Sequence, residues 1–175
     1  MRAPVDRPRL LAFLAEIGRA ARQPGRLYLV GGASAVLEGW RVSTIDVDIA
    51  MSPSLEPILR DVPALKERLA INVELASPSD FIPALPGWED RSPFIQRDGV
   101  VDVFHYDFYA QALAKLERGH AQDLDDVLAM RRQQRIEPER LRALFEQIRP
   151  DLYRYPAVDP ATFSTAVERF CASEL

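Results

Sequence analysis

The chain has a single cysteine, Cys171, only two histidines, and no apolar run long enough to cross a bilayer. One thiol excludes an internal disulfide framework, and the short apolar runs exclude a membrane-spanning helix. No secretory leader is recognisable. The expectation is therefore a soluble, cytoplasmic protein with no membrane partner. A basic surplus is also lacking. With 22 Lys and Arg against 26 Asp and Glu, the net charge of -4 argues against a general nucleic-acid coat, while leaving room for a local basic patch. Neither His105 nor His120 has the Cys or carboxylate spacing of a zinc site, and there is no internal repeat or low-complexity tract.

What the chain does have is a pair of carboxylates in the run Thr44-Ile45-Asp46-Val47-Asp48-Ile49, a short distance after the glycine pair of Leu29-Val30-Gly31-Gly32. Side chains alternate along a strand, so Asp46 and Asp48 project to one side while Ile45, Val47 and Ile49 project to the other. Two like charges this close repel, and a divalent cation between them relieves the repulsion. Mg²⁺ suits such oxygen donors and also binds substrate phosphates. Taken alone, an alternating Asp pair is equally the solvated face of an edge strand. The upstream segment adds weight. Arg26 to Val30 reads as a short buried strand, Gly31-Gly32 as a sharp exit, and Ala33 to Trp40 as a helix. A strand opening through glycines into a helix offers backbone N–H groups and a positive helix end to a phosphate.

These residues resemble the signature of the DNA polymerase beta-like nucleotidyltransferase superfamily: Val30-Gly31-Gly32-Ala33-Ser34, then Arg41-Val42-Ser43-Thr44-Ile45-Asp46-Val47-Asp48. Within it the chain is similar to small bacterial nucleotidyltransferases of abortive-infection toxin-antitoxin systems. The later motifs of that group also appear, as a lysine in Ala114-Lys115-Leu116-Glu117-Arg118 and a D-x-x-D in Asp123-Leu124-Asp125-Asp126. The resemblance spans roughly residues 26 to 130, and two motifs in the right order are more specific than either alone.

The fold class expected is α/β, more narrowly α+β: a nucleotidyltransferase-like mixed sheet flanked by helices, with a helical C-terminal extension. Residues 1–108 would form the core with its N-terminal helix, and residues 109–175 an extension packed on it, the whole being one structural unit. Leu10, Leu11, Phe13, Leu14 and Ile17 mark the first helix behind Asp6 and Pro8, with Pro24-Gly25 as its stop. Residues 52–70 are expected to hold one helix, capped by Asp61 with Pro63 in its first turn. Ile71 to Ala76 reads as a strand, residues 77–93 as an irregular loop, and Phe94 to Arg97 with Val100 to Tyr106 as a hairpin about Asp98-Gly99. Helices follow over 108–118, 123–135, 138–148 and after Pro160.

The resemblance implies Mg²⁺-dependent transfer of a nucleoside monophosphate from a nucleoside triphosphate to an acceptor hydroxyl, with a two-metal site possible. Asp46, Asp48 and a third carboxylate would be the catalytic and metal-binding residues. Two candidates share the polar faces of later strands, Glu74 beside Asn72 and Asp102 beside Val100 and Phe104, and the cleaner alternation favours Glu74. Gly31, Gly32 and Ser34 would cradle phosphates, with Arg41 and Lys115 neutralising charge and Asp123 and Asp126 completing the nucleotide site. Helix chemistry alone accounts equally well for Lys115 as a charged face and for Asp123 and Asp126 at a helix start. The acceptor, whether tRNA, protein or a small molecule, is not legible. The alternative is a catalytically idle interaction module, such as one half of a toxin-antitoxin pair with a partner protein.

Overall fold

The computed structural model describes residues 3–174, and its contacts divide the chain into two units. The first comprises the chain up to Ser77 together with Ser92–Tyr106; the second is Pro78–Arg91 with the chain from Asp107 onward.

In the first unit, β1 (Val5–Asp6) leads into α1 (Arg7–Ala20), where the Asp6 side chain accepts from Arg9 N at 3.1 Å and a proline occupies the first turn. Leu10, Phe13, Leu14 and Ile17 bury one stripe of this helix. After it come β2 (Gly25–Val30), α2 (Gly31–Glu38), β3 (Ser43–Thr44) and β4 (Asp46–Met51). A 3-10 segment, Pro53–Arg60, precedes α3 (Val62–Leu69) and β5 (Asn72–Leu75), and the hairpin β6 (Phe94–Asp98) and β7 (Val101–His105) completes the unit. The sheet order is β5-β4-β2-β7-β6. Neighbours run parallel at β4/β5 and β2/β7, and antiparallel at β2/β4 and β6/β7.

One face of this sheet is the core. Leu27, Leu29, Val47, Ile49, Val73, Val101 and Val103 project to it and cluster with residues of α1, α2 and α3. Each fully buried aliphatic side chain there contributes about 1.5–3 kcal/mol relative to exposure. The opposite face carries Asn72, Glu74, Asp46, Asp48, Tyr28, Arg26, Asp102 and Phe104, as the register requires.

Several details differ from the sequence pattern. Ile45 lies ahead of β4 with 63% of its surface exposed, because Ser43–Thr44 pairs with β1 and the chain is out of the sheet between the two strands. Residues 52–70 hold a 3-10 segment as well as α3. Asp61 stands at the N-cap of α3 but makes no side-chain cap; its carbonyl accepts from Leu65 N instead. The glycine pair forms the first turn of α2 and does not precede the helix.

The second unit holds a 3-10 turn (Pro78–Asp80), α4 (Trp88–Arg91), α5 (Phe108–Arg118), α6 (Ala121–Arg132), α7 (Pro138–Ile148), a 3-10 segment (Arg149–Arg154) and α8 (Pro160–Ala172). Residues 77–93, expected as loop throughout, thus contain two short helical pieces. Asp107 caps α5, accepting from Tyr109 N at 3.1 Å, and it takes both Arg91 Nε and Nη2 at 3.0 and 2.7 Å. Phe145 and Phe163 meet edge to face in the interior of this unit. Among the described residues, no helix is long and apolar enough to cross a membrane. The fold is the mixed sheet flanked by helices that the sequence led us to expect.

Candidate functional site

Asp46 and Asp48 point from the same face of β4, each half-buried, while Val47 and Ile49 between and beyond them are fully buried. Burial of the alternate residues fixes the register, because a slip of one position would drive both carboxylates into the core. The parallel pairing of β4 with β5 sets Asn72 beside Asp46 and Glu74 beside Asp48. The Asn72 amide donates to Asp46 Oδ1 at 2.7 Å and to Glu74 Oε1 at 2.9 Å, so one neutral group bridges two of the three carboxylates. Asp102 is placed differently. It stands on β7 next to Arg26 and is bound in a fork by Arg97, Nε to Oδ1 at 2.6 Å and Nη2 to Oδ2 at 3.0 Å. The Arg97 hydrogen bonds hold the Asp102 carboxyl below the usual carboxylate range.

The glycines meet this face from the end of β2. Gly31 has φ +57, and a Cβ there would stand 3.3 Å from Asp48 Oδ2, so the turn backbone lies against the carboxylate. Gly32 is constrained for another reason. Its φ is not in the left-handed region, but a Cβ would fall 2.1 Å from Thr44 Oγ1 and 3.3 Å from Arg41 Nη1. Thr44, which the sequence did not single out, is therefore what requires glycine at this position, and its hydroxyl also donates to Asp46 O at 2.9 Å. Arg41 is brought to the same turn. The N-cap of α2 is Val30, whose side chain cannot accept a hydrogen bond. The start of α2 carries the partial positive charge that any helix N-terminus offers to an anion.

Ser34 is turned inward. It is fully buried, with Oγ 2.7 Å from His105 Nδ1, and His105 Nε2 lies 2.9 Å from Glu38 Oε1. This trio ties α2 to β7 beneath the glycine turn. His105 had no distinguishing neighbours in the sequence, and only the packing of α2 on the sheet brings Ser34 and Glu38 to it.

Lys115, Asp123 and Asp126 come together in the second unit. Lys115 Nζ donates to Asp123 Oδ1 at 3.1 Å and Asp126 Oδ2 at 2.8 Å, and Arg118 adds two bonds to Asp123 at 2.7 Å each. Lys115, Asp123 and Asp126 are all buried. Burial by itself would raise the Asp123 carboxyl, but the hydrogen bonds and charges of Arg118 and Lys115 outweigh it and hold the group below its ordinary value.

Among the described residues, no three His, Cys, Asp or Glu side chains converge closely enough to enclose a metal ion. Mg²⁺ does not require such a cage. It is bound through one or two carboxylates, with waters and substrate phosphates filling the octahedron. Asp46 and Asp48, hard donors on one face beside a phosphate-compatible helix start, fit that demand, with Glu74 adjacent.

No curated protein and no solved structure matches the chain significantly. A family model described as nucleotidyltransferase of unknown function (DUF6036) matches residues 9–164, and over that span the chain belongs to this family.

Proposed function

We propose that this protein is a Mg²⁺-dependent nucleotidyltransferase that moves a nucleoside monophosphate from a nucleoside triphosphate to an acceptor hydroxyl. The observation that supports this most is the projection of Asp46 and Asp48 from one face of β4, with Glu74 on the neighbouring strand and the Gly31 backbone against Asp48. In this reading Asp46 and Asp48 bind the cation and Glu74 borders a second position. Bound Mg²⁺ supplies charge neutralisation for the triphosphate and for the departing pyrophosphate. Gly31 and Gly32, at the start of α2, receive phosphate oxygens, and Arg41 balances their charge.

Glu74, exposed at the sheet edge, accepts the proton of the acceptor hydroxyl as that oxygen bonds to the α-phosphorus and the bond to the pyrophosphate oxygen breaks. Lys115 and Arg118 meet the charges of Asp123 and Asp126 within the second unit, so the proposed nucleotide contacts are confined to the Asp46 face.

The test is incubation of the purified protein with Mg²⁺, each α-labelled nucleoside triphosphate in turn, and a pool of RNA, protein and small-molecule acceptors. A labelled product made by wild type and absent with Asp46→Asn is expected. If no triphosphate binds or labels anything, while a protein partner co-purifies equally with wild type and variant, the chain is an interaction module and not an enzyme.

A further inference from the structure

The carboxylate face of the sheet also carries a row of aromatic rings. Tyr28 on β2 stacks on Phe104 of β7 with ring centroids 5.5 Å apart, and Phe94 of β6 meets Phe104 edge to face at 5.6 Å. The Arg26 guanidinium lies 5.4 Å from the Phe104 centroid. Cross-strand aromatic pairing stabilises a sheet, which explains the buried Tyr28 and the half-buried Phe104. It does not explain Phe94, which leaves 58% of its surface in solvent.

The register relates this row to the carboxylates. Val30 is the cross-strand neighbour of Asp48, and Tyr28 is that of Phe104. Two strand spacings and two residues therefore separate Asp48 from Phe104, about 12 Å between Cα atoms. The Gly31-Gly32 turn lies in the opposite direction, beyond Val30. With the terminal phosphates at that turn and the α-phosphate at the carboxylates, the nucleoside end would extend down the sheet, past the covered Tyr28, toward Phe104 and Phe94.

We propose that Phe94 and Phe104, with Arg26, form the subsite for the nucleobase of the donor triphosphate. Aromatic rings and guanidinium planes both stack on base faces, and such stacking is tolerant of base identity because every base offers a π-face. The inference rests on the carboxylate reading above.

Dissociation constants in Mg²⁺ for ATP, CTP and inorganic tripolyphosphate, measured on wild type, Phe94→Ala and Phe104→Leu, separate the two claims. Phe94 is exposed, so its variant is expected to keep the fold, and Phe104→Leu retains apolar packing while removing the ring. Both variants should weaken ATP and CTP by about tenfold, the scale of one stacking contact, and leave tripolyphosphate unchanged. Tripolyphosphate binding to wild type with no added affinity for ATP or CTP overturns the base subsite alone. So does an unchanged ATP affinity in both variants, including the case where they lose affinity for a single-stranded oligonucleotide, which would assign the rings to the acceptor. Failure of wild type to bind either ATP or tripolyphosphate overturns the carboxylate reading and the subsite together.

Discussion

Two groups of carboxylates occupy this chain, and they are balanced in opposite ways. Asp123 and Asp126 are buried, and their charge is met from within by Lys115 and Arg118, four side chains that close on one another. Asp46, Asp48 and Glu74 lie half-buried or exposed on a sheet face, and the group bridging Asp46 and Glu74 is the neutral Asn72 amide. An ion cluster in which the buried Lys115 and the more exposed Arg118 meet two buried carboxylates holds two helices together. Between Asp46 and Glu74 the bridging Asn72 amide brings no charge, so their mutual repulsion is one that a cation can lower. The first arrangement predicts a cost in stability on mutation and the second a cost in ligand binding.

The sharpest way to break the contrast is to remove one charge from each group. Lys115→Met leaves Asp123 and Asp126 buried without their ammonium and should destabilise the protein by about 3–5 kcal/mol in denaturant unfolding. Asp46→Asn with Asp48→Asn relieves repulsion and should leave unfolding in the absence of metal within about 1 kcal/mol of wild type. Similar stability losses in both would mean that the two groups are both structural.

Next in size is the ranking of Glu74 against Asp102. Glu74→Gln should slow nucleotide transfer by roughly a hundredfold or more if Glu74 takes the acceptor proton. Asp102→Asn breaks only a surface fork with Arg97, worth about 0–1 kcal/mol, and should change turnover little. The reverse order in a labelled-nucleotide assay would move the site to β7.

The glycine turn separates packing from binding. Gly32→Val forces atoms onto Thr44 and should cost about 1–3 kcal/mol of stability or more, so lost nucleotide binding in that variant says nothing about phosphate contact. Gly32→Ala with Thr44→Ser keeps the 2.1 Å clash with Oγ, whereas Gly32→Ala with Thr44→Gly removes both Oγ and the Cβ that would stand at 2.8 Å. Recovery of the melting temperature in the second pair alone would confirm that Thr44 is the obstacle.

The smallest effect is in acid. The folded Asp123 carboxyl titrates below its ordinary value of 3.8, so its stabilisation is present above that pH and is lost as pH falls through the lower folded value. Asp107 has the opposite sign. Burial raises it, with the Arg91 hydrogen bonds offsetting only part, so folding disfavours its ionised form and stability declines as pH rises from 3.8 through the raised value. Unfolding free energy against pH should lose its acid-side fall in Asp123→Asn and its rise-side decline in Asp107→Asn. Unchanged pH profiles in both variants would remove these groups from the linkage.

Much of the architecture could be read from residue pattern. The alternation in Asp46–Met51 marked both the strand and its polar face, Asp6 and Pro8 marked α1, Pro138 and Pro160 marked the starts of α7 and α8, and Asp98-Gly99 marked the hairpin. Ile45 misled, because alternation continued past the point where the chain leaves the sheet. Which residue stands beside Asp48 depends on strand pairing across 26 positions, so Glu74 could be favoured from its own alternation but not placed. The Ser34–His105–Glu38 trio spans 71 residues of sequence and carries no local spacing to betray it. For Lys115, Asp123 and Asp126, helical spacing showed that the two aspartates share a face; that this face turns onto Lys115 follows from the packing of α5 against α6.

Whether Asp46 and Asp48 form a cation-dependent nucleotide site is decided by the thermal stability of wild type and Asp46→Asn/Asp48→Asn with each nucleoside triphosphate, in the presence and absence of Mg²⁺. A ligand at a hundredfold excess over its dissociation constant stabilises by about 2.7 kcal/mol. A gain of that order is expected for wild type only when Mg²⁺ and a triphosphate are both present, and its loss is expected in the double variant. Equal shifts in the two proteins, or no shift in either, would contradict it.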